Sequence, residues 1–399
     1  MSDPSMNRRV IAFINVGHAL DHLFMLVFTT AVLTMADEFG LSYGEMIGLS
    51  LGGFIAFGAG SLPAGWLGDR WSRRAMMAVF FIGIGLAALV TAFASTPTQV
   101  FLALTLIGVF AAIYHPVGTA MLVAHAERTG REIGVNGVWG NMGVACSALV
   151  TGALSQWFGW RWAFAVPGAV SIAAGIAFLA LVPEGTGPKR GGGRKTLDIP
   201  RPVVRRVFIV LMTVSIAGSL IFNAVNLSLP KVVEDRVAAL AQSPAAIGGV
   251  VFAIYALGSL SQLLMGRLVD RHPLRAVFLP LSLLYLPCLL LAISAQDIAI
   301  VVLAFGAVFA MFGQVTINDT MVAKYTTEEW RARVYALRYS VSFLGSAVAV
   351  PLVARLRDSF GGFEWVFLAL GLVSALIVIG AVAFPHRPEE LAPRPAAAE

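Results

Sequence analysis

His18, Asp21 and His22 stand at i, i+3 and i+4 inside a long apolar run near the start of the chain. On a helix that spacing puts the three side chains on one face, and Asn15 and Met25 extend the stripe in both directions. A carboxylate flanked by imidazoles can load and release a proton near neutral pH, which is the chemistry of ion-coupled movement. Two other readings use the same residues: a hydrogen-bonded cluster between helices, or ligands for a transition ion. A further histidine, His115, lies in another apolar run, and Pro116 beside it should kink that helix and free backbone carbonyls. Proton coupling is the reading the residues favour, with Asp21 as carrier, His18 and His22 tuning it, and no resident metal or other cofactor.

Such groups need a scaffold that carries them through lipid. The chain is 58% hydrophobic and 13% charged, with a mean hydropathy of +0.81. A soluble domain has about 25% charged residues, so this is a membrane protein. A spanning helix needs about 17–25 mostly apolar residues. Stretches near 10–36, 46–66, 75–94, 100–124, 134–156, 163–182, 207–229, 245–266, 274–294, 298–322, 334–356 and 365–384 qualify. Counted from Val10 at about 1.5 Å per residue, Asp21 lies about 16 Å deep, close to the bilayer midplane. An ionisable group at that depth costs at least a few kcal/mol, so it is held there for a reason.

Six stretches precede residues 183–206 and six follow. That segment is rich in Gly, Pro, Lys and Arg and reads as a flexible linker between an N-terminal bundle, 1–182, and a C-terminal one, 207–399, with a short polar tail. Of 28 Lys and Arg residues, 22 fall on one side of the predicted spans, which places both termini and the linker in the cytoplasm. The net charge of +6 does not suggest nucleic acid, because the bases sit in gaps between apolar runs. Cys146 and Cys288 lie inside apolar runs and read as buried thiols. The first run contains Asp21, is too long for a signal peptide and reads as a retained helix.

The remaining polar residues within spans divide into two groups. Asn223 and Asn226, with Ser219 at helical spacing in the seventh span, suit hydrogen bonding to a polar substrate group or to a neighbouring helix. Tyr255 and Gln262 in the eighth span, and Gln314 and Asn318 in the tenth, are further candidates for such contacts. Asp319 lies about 31 Å along the tenth span, near the cytoplasmic mouth, where it suits a gate. Arg338 in the eleventh span lies at a similar depth and either pairs with Asp319 or snorkels to the interface.

The loop Gly65-Trp66-Leu67-Gly68-Asp69-Arg70-Trp71-Ser72-Arg73-Arg74 returns as Gly266-Arg267-Leu268-Val269-Asp270-Arg271, with Arg275 four residues on. Trp160-Arg161-Trp162-Ala163-Phe164 is echoed by Phe363-Glu364-Trp365-Val366-Phe367, and Thr119-Ala120-Met121 by Asp319-Thr320-Met321. A repeat of half the chain marks a duplicated membrane architecture. Asp69 is placed to accept from exposed amides at the start of the eleventh span, and Asp270 from those of the fifth. Gly65 and Gly266 are expected where helices cross closely.

Twelve spans in two halves, with this loop after the second and its echo after the eighth, resemble the major facilitator superfamily. The resemblance implies two six-helix bundles rocking about a central cavity, a monomer, and a loop contact, reinforced by Arg70, Arg73, Arg74 and Arg271, that stabilises the outward-facing state. More narrowly, Gly17-His18-Ala19-Leu20-Asp21 and Tyr114-His115-Pro116-Val117-Gly118 resemble the fosmidomycin-resistance branch of bacterial efflux proteins. That implies proton-coupled efflux of a small organic compound across the bacterial inner membrane, with His115 lining the cavity. Gly137, Gly140 and Gly143 of the fifth span read as packing positions; the Gly-Pro element usual in superfamily antiporters lacks its proline here, which leaves direction open. An uptake symporter for a small organic ion has the same architecture. A transition-metal transporter requires His18, His22 and His115 to converge with Asp21. No Gly-x-x-x-x-Gly-Lys, Gly-x-Ser-x-Gly or paired metal carboxylates suggest an enzyme or a nucleotide-driven pump.

Overall fold

The computed structural model describes residues 4–184, 201–326 and 328–386, and no strand occurs among them. The expected linker bases Lys189, Arg190, Arg194 and Lys195, and Arg387 and Arg394 of the tail, lie outside the described residues. The helices are α1 (Pro4–Phe39), α2 (Tyr43–Gly48), α3 (Leu51–Arg70), α4 (Arg73–Ala92), α5 (Pro97–Ala111), α6 (Thr119–His125), α7 (Thr129–Phe158) and α8 (Trp160–Leu181). Then come α9 (Arg201–Arg236), whose first six residues lie inside the expected linker 183–206, α10 (Pro244–Arg271), α11 (Leu274–Leu291), α12 (Asp297–Tyr325), α13 (Glu328–Phe360) and α14 (Glu364–Ala383). Among the described residues, eleven helical segments are long and apolar enough to cross a membrane. The eleventh expected stretch, 334–356, falls within α13, which is not among those eleven.

Local chemistry explains the helix starts. Ser42, Ser72, Thr96 and Ser243 each accept a hydrogen bond from the backbone amide three residues on, which satisfies one of the orphan donors of the first turn. Glu45 completes a capping box by accepting from the Ser42 amide at 2.8 Å. Pro97 and Pro244 occupy the first helical position, where a missing N–H costs nothing. A single residue, Gly159, joins α7 to α8 at φ 92°, and Gly361, just beyond α13, turns at φ 72°. Both turns need the left-handed region, which a side chain disfavours. They fall at matching places in the two halves of the repeat.

Packing repeats as well. In the first half α1 lies against α7, α3 against α5 and α4 against α8; in the second α9 lies against α13, α10 against α12 and α11 against α14. The halves meet through α7 with α10 and α3 with α13. The closest crossing behind the polar stripe is α1 on α7. A side chain at Gly143 would run into the Ala19 carbonyl, so only glycine admits this approach.

The candidate site at the crossing of the first and fourth spans

The fourth span is not one regular helix. Between α5 and α6 the backbone widens to π geometry over Tyr114–Gly118, around Pro116. Proline supplies no amide to the helical ladder and its ring displaces the preceding carbonyl, which gives the bulge a cause. The bulge presents Tyr114 and His115 to the polar face of α1.

There the expected stripe is assembled. Asp21 is fully buried and neither carboxylate oxygen has a hydrogen bond. The group that faces it is His115, whose Nε2 lies 3.4 Å from Oδ2. His22 Nε2 and His18 Nε2 are 3.1 Å apart, so one ring donates and the other accepts. His18 Nδ1 donates to the backbone carbonyl of Asn136 on α7 at 2.7 Å, which leaves Nε2 as the acceptor. The His115 ring stands 5.4 Å from that of His18 and 5.6 Å from that of His22, edge to face in both cases. All three histidines keep partial exposure, and one nitrogen from each lies within 4.8 Å of the others. Met25 is half-buried against the apolar core.

Three residues outside the expected set build the walls. The Tyr114 ring stacks on His18 at 4.9 Å and 19°, and its hydroxyl donates to the Ile14 carbonyl at 2.9 Å. Asn136 Nδ2 donates to Asn15 Oδ1 at 2.9 Å and contacts the Tyr114 hydroxyl at 3.0 Å. Gly140 makes room for His18, since a Cβ there would lie 2.6 Å from Cε1 of the ring. Asn136 is not among the expected residues; an amide within a span is a weak signal, because its partners lie on helices far away in sequence.

The second half presents neutral groups that largely bond to themselves. Asn223 Nδ2 donates to the Ser219 carbonyl one turn back, at 2.9 Å, and Gln314 Nε2 donates to Asn318 Oδ1 at 2.9 Å. Asn226 Oδ1 and the Tyr255 hydroxyl are buried without a partner. Gln262 Oε1 accepts from Asn141 Nδ2 at 2.9 Å, bridging α10 to α7. Arg338, buried, makes an ion pair with Asp319, the pairing alternative rather than the snorkelling one.

The two loops differ from expectation. Asp69 stays 67% exposed and pairs with Arg73 of its own loop at 2.6 Å, and it makes no bond to α13 among the described residues. Arg70 lies over the Trp66 ring. Arg74 donates to the carbonyls of Val182 and Leu179, capping the end of α8. Asp270 and Arg271 are exposed, and Asp270 makes no contact with the start of α7 among the described residues. Gly65 does sit at a close crossing, 3.2 Å from the Pro116 Cβ once a Cβ is built. Gly266 does not: nothing lies within 4 Å of that position. The conserved spacing of the loop letters within the chain reflects duplication, while helix crossing differs between the halves.

At the opposite end the halves are tied together. Asp358 of α13 accepts from Ser42 Oγ at 2.6 Å and from the Gly44 amide at 3.0 Å. Tyr43 donates to the Leu227 carbonyl at 2.8 Å, and Gln156 of α7 accepts from Ser243 Oγ at 2.9 Å and the Ala245 amide at 3.0 Å.

Comparison with known proteins gives the arrangement a context. The sequence profile of the Major Facilitator Superfamily matches residues 14–261 and 237–399. A puromycin resistance protein of Streptomyces alboniger is 34% identical over 149 residues, which are 37% of this chain and 29% of that protein. A Salmonella dublin protein provisionally named multidrug resistance protein MdtD is 26% identical over 221 residues, 54% of this chain and 45% of its own length. These matches span less than half of either relative. Among solved structures, a bacterial homologue of the human lysosomal transporter Spinster is similar in fold. Its inward-facing, unoccupied form has a TM-score of 0.74 at 15% identity and covers 97% of this chain and 100% of that one. Its inward-facing, occupied form has a TM-score of 0.76 at 14% identity, covering 96% and 97%.

Proposed function

The chain belongs to the Major Facilitator Superfamily, and from that premise we propose that it exports a small organic compound in exchange for protons across a bacterial inner membrane. It is a multi-pass transporter, not an enzyme. In this reading residues 1–182 and 207–399 are two bundles joined by 183–206, the monomer is the working unit, and the bundles rock about the polar site. One observation carries the proposal: Asp21 is fully enclosed without a hydrogen bond, within reach of an imidazole. A structural carboxylate in hydrocarbon is stabilised by donors, whereas a proton carrier must be left incompletely bonded so that protonation can neutralise it.

His115, beside Asp21, and the His18–His22 pair offer a route for that proton. Asn226 and Tyr255 retain unused hydrogen-bonding capacity and are the favoured cargo contacts in the second half. The bonds from Ser42, Gly44 and Gln156 and the exposure of Asp69 fit a state closed on the far side with the loop latch undone. In the opposite state Asp69 would close on α13. The resistance-type relatives and the resemblance of the helix 1 and helix 4 motifs to efflux proteins support export.

The test is transport in proteoliposomes under an imposed pH gradient, with a panel of labelled compounds that includes puromycin. Export reading and direction stand if a compound moves against the proton gradient. Asp21→Asn should abolish gradient-driven movement yet retain exchange of labelled for unlabelled compound, which needs no net proton transfer. Undiminished gradient-driven transport by that variant removes Asp21 from the mechanism.

A further inference from the structure

We propose that His18, His22 and His115 form a binding site for one divalent transition-metal ion. The inference stands on the geometry of the cluster and does not require the proton reading to be correct.

Three imidazoles on two helices converge within 4.8 Å. Tetrahedral zinc with Zn–N of about 2.0–2.1 Å places its nitrogens about 3.3 Å apart. His18 and His22 already stand at 3.1 Å, so the pair now bridged by a hydrogen bond has the span of two edge ligands. Bringing the His115 nitrogen from within 4.8 Å to about 3.3 Å of the other two would complete a three-nitrogen face, with the fourth position open to water or to a donor group on cargo.

The surroundings resemble those that orient metal-ligating histidines, whose outer nitrogen usually donates to a carbonyl or carboxylate. His18 does this through Nδ1 to the Asn136 carbonyl, with Tyr114 stacked on one face and Gly140 leaving room on another. His115 turns Nε2 towards the Asp21 carboxylate at 3.4 Å. The independent observation is Asp21 itself. It is wholly buried, unpartnered by any hydrogen bond, and set against the cluster. A dication on the imidazoles supplies the positive charge that this carboxylate lacks. Neutral imidazole donors favour Zn²⁺, Co²⁺ or Ni²⁺ over Mg²⁺ or Ca²⁺, which take oxygen ligands.

The experiment uses the full chain, purified in detergent with any affinity tag removed, and Co²⁺ as a visible probe. One Co²⁺ per chain with the intense absorption of a tetrahedral site is expected, and added Zn²⁺ should bleach it. His18→Gln, His22→Gln and His115→Gln should each abolish the band, Asp21→Asn should weaken binding about 10–100-fold, and His125→Gln should leave it intact. His125 is buried and bonded to the Met121 carbonyl at 2.8 Å, outside the cluster. Should the cluster variants fail to fold, the unaltered chain decides. Zn²⁺ must protect His18, His22 and His115 from diethyl pyrocarbonate, read by peptide mass spectrometry, while exposed His272 stays reactive. Absence of a tetrahedral band, a band that survives all three cluster substitutions, or no protection overturns the site. A native chain that binds no Co²⁺ still permits the Asp21 transport test, and an Asp21→Asn variant that transports normally still permits the Co²⁺ titration, so the two readings fail separately.

Discussion

The faces of α1 and α9 that hold polar residues occupy corresponding places in the two halves, yet they differ in kind. On α1 the groups are ionisable, and their bonds reach other helices: His18 to Asn136 on α7, Asp21 towards His115 on the fourth span. On α9 and α12 they are neutral amides that bond one turn away on their own helix, Asn223 to Ser219 and Gln314 to Asn318. A self-bonded amide keeps its shape whatever the neighbouring helix does. A carboxylate cannot satisfy itself in that way and depends on what the other helices bring to it. The duplicated scaffold therefore keeps its unbonded carboxylate and imidazole cluster in the first half, whereas the buried charge of the second half, Arg338, is already paired with Asp319.

The sharpest way to break that comparison is to exchange the chemistries. Asp21→Asn should lower gradient-driven transport more than about tenfold while raising stability by about 1–3 kcal/mol, because an unbonded buried charge is replaced by a neutral group; transport and thermal melting of one preparation read both. The reverse change, Asn223→Asp, should lower the melting midpoint by several degrees, since it places a carboxylate where only neutral partners are arranged. Next in size is Gly143→Ala, expected to cost about 1–3 kcal/mol because the Ala19 backbone blocks the added methyl. Asn136→Ala should cost about 1–2 kcal/mol by stranding Asn15 and its contact with the Tyr114 hydroxyl. The smallest effects separate the two loops: Gly65→Ala should destabilise by about 1 kcal/mol against Pro116, and Gly266→Ala should stay within about 0.5 kcal/mol. Equal penalties at the two glycines would show that the halves are more alike at this crossing than the geometry indicates.

The spans were legible because lipid imposes a length and a composition on every crossing; most expected stretches fall inside observed helices, though ends differ by up to seven residues, as for 207–229 within Arg201–Arg236. The stripe of His18, Asp21 and His22 followed from 3.6-residue periodicity, and the bulge at His115 from Pro116. Asp319 and Arg338 could be seen as one of two alternatives. Asn136, Tyr114 and Gly140 were not legible as parts of the site, since each acts through a helix far away in sequence. Gly266 misled, because repeated letters report common descent of the halves and not equal distances.

Sequence alone determined what each helix offers: its length, its polar face and the residue type at each depth, all of which are set by neighbours within a few turns. Tertiary structure alone decided that three imidazoles from two spans meet beside one unbonded carboxylate, and that amide pairs close on themselves in the other half. The reason is physical: helical periodicity is a local property, whereas the separation of side chains on different helices depends on crossing geometry. Small residues such as Gly140 and Gly143 set that geometry only when the opposing backbone is in place.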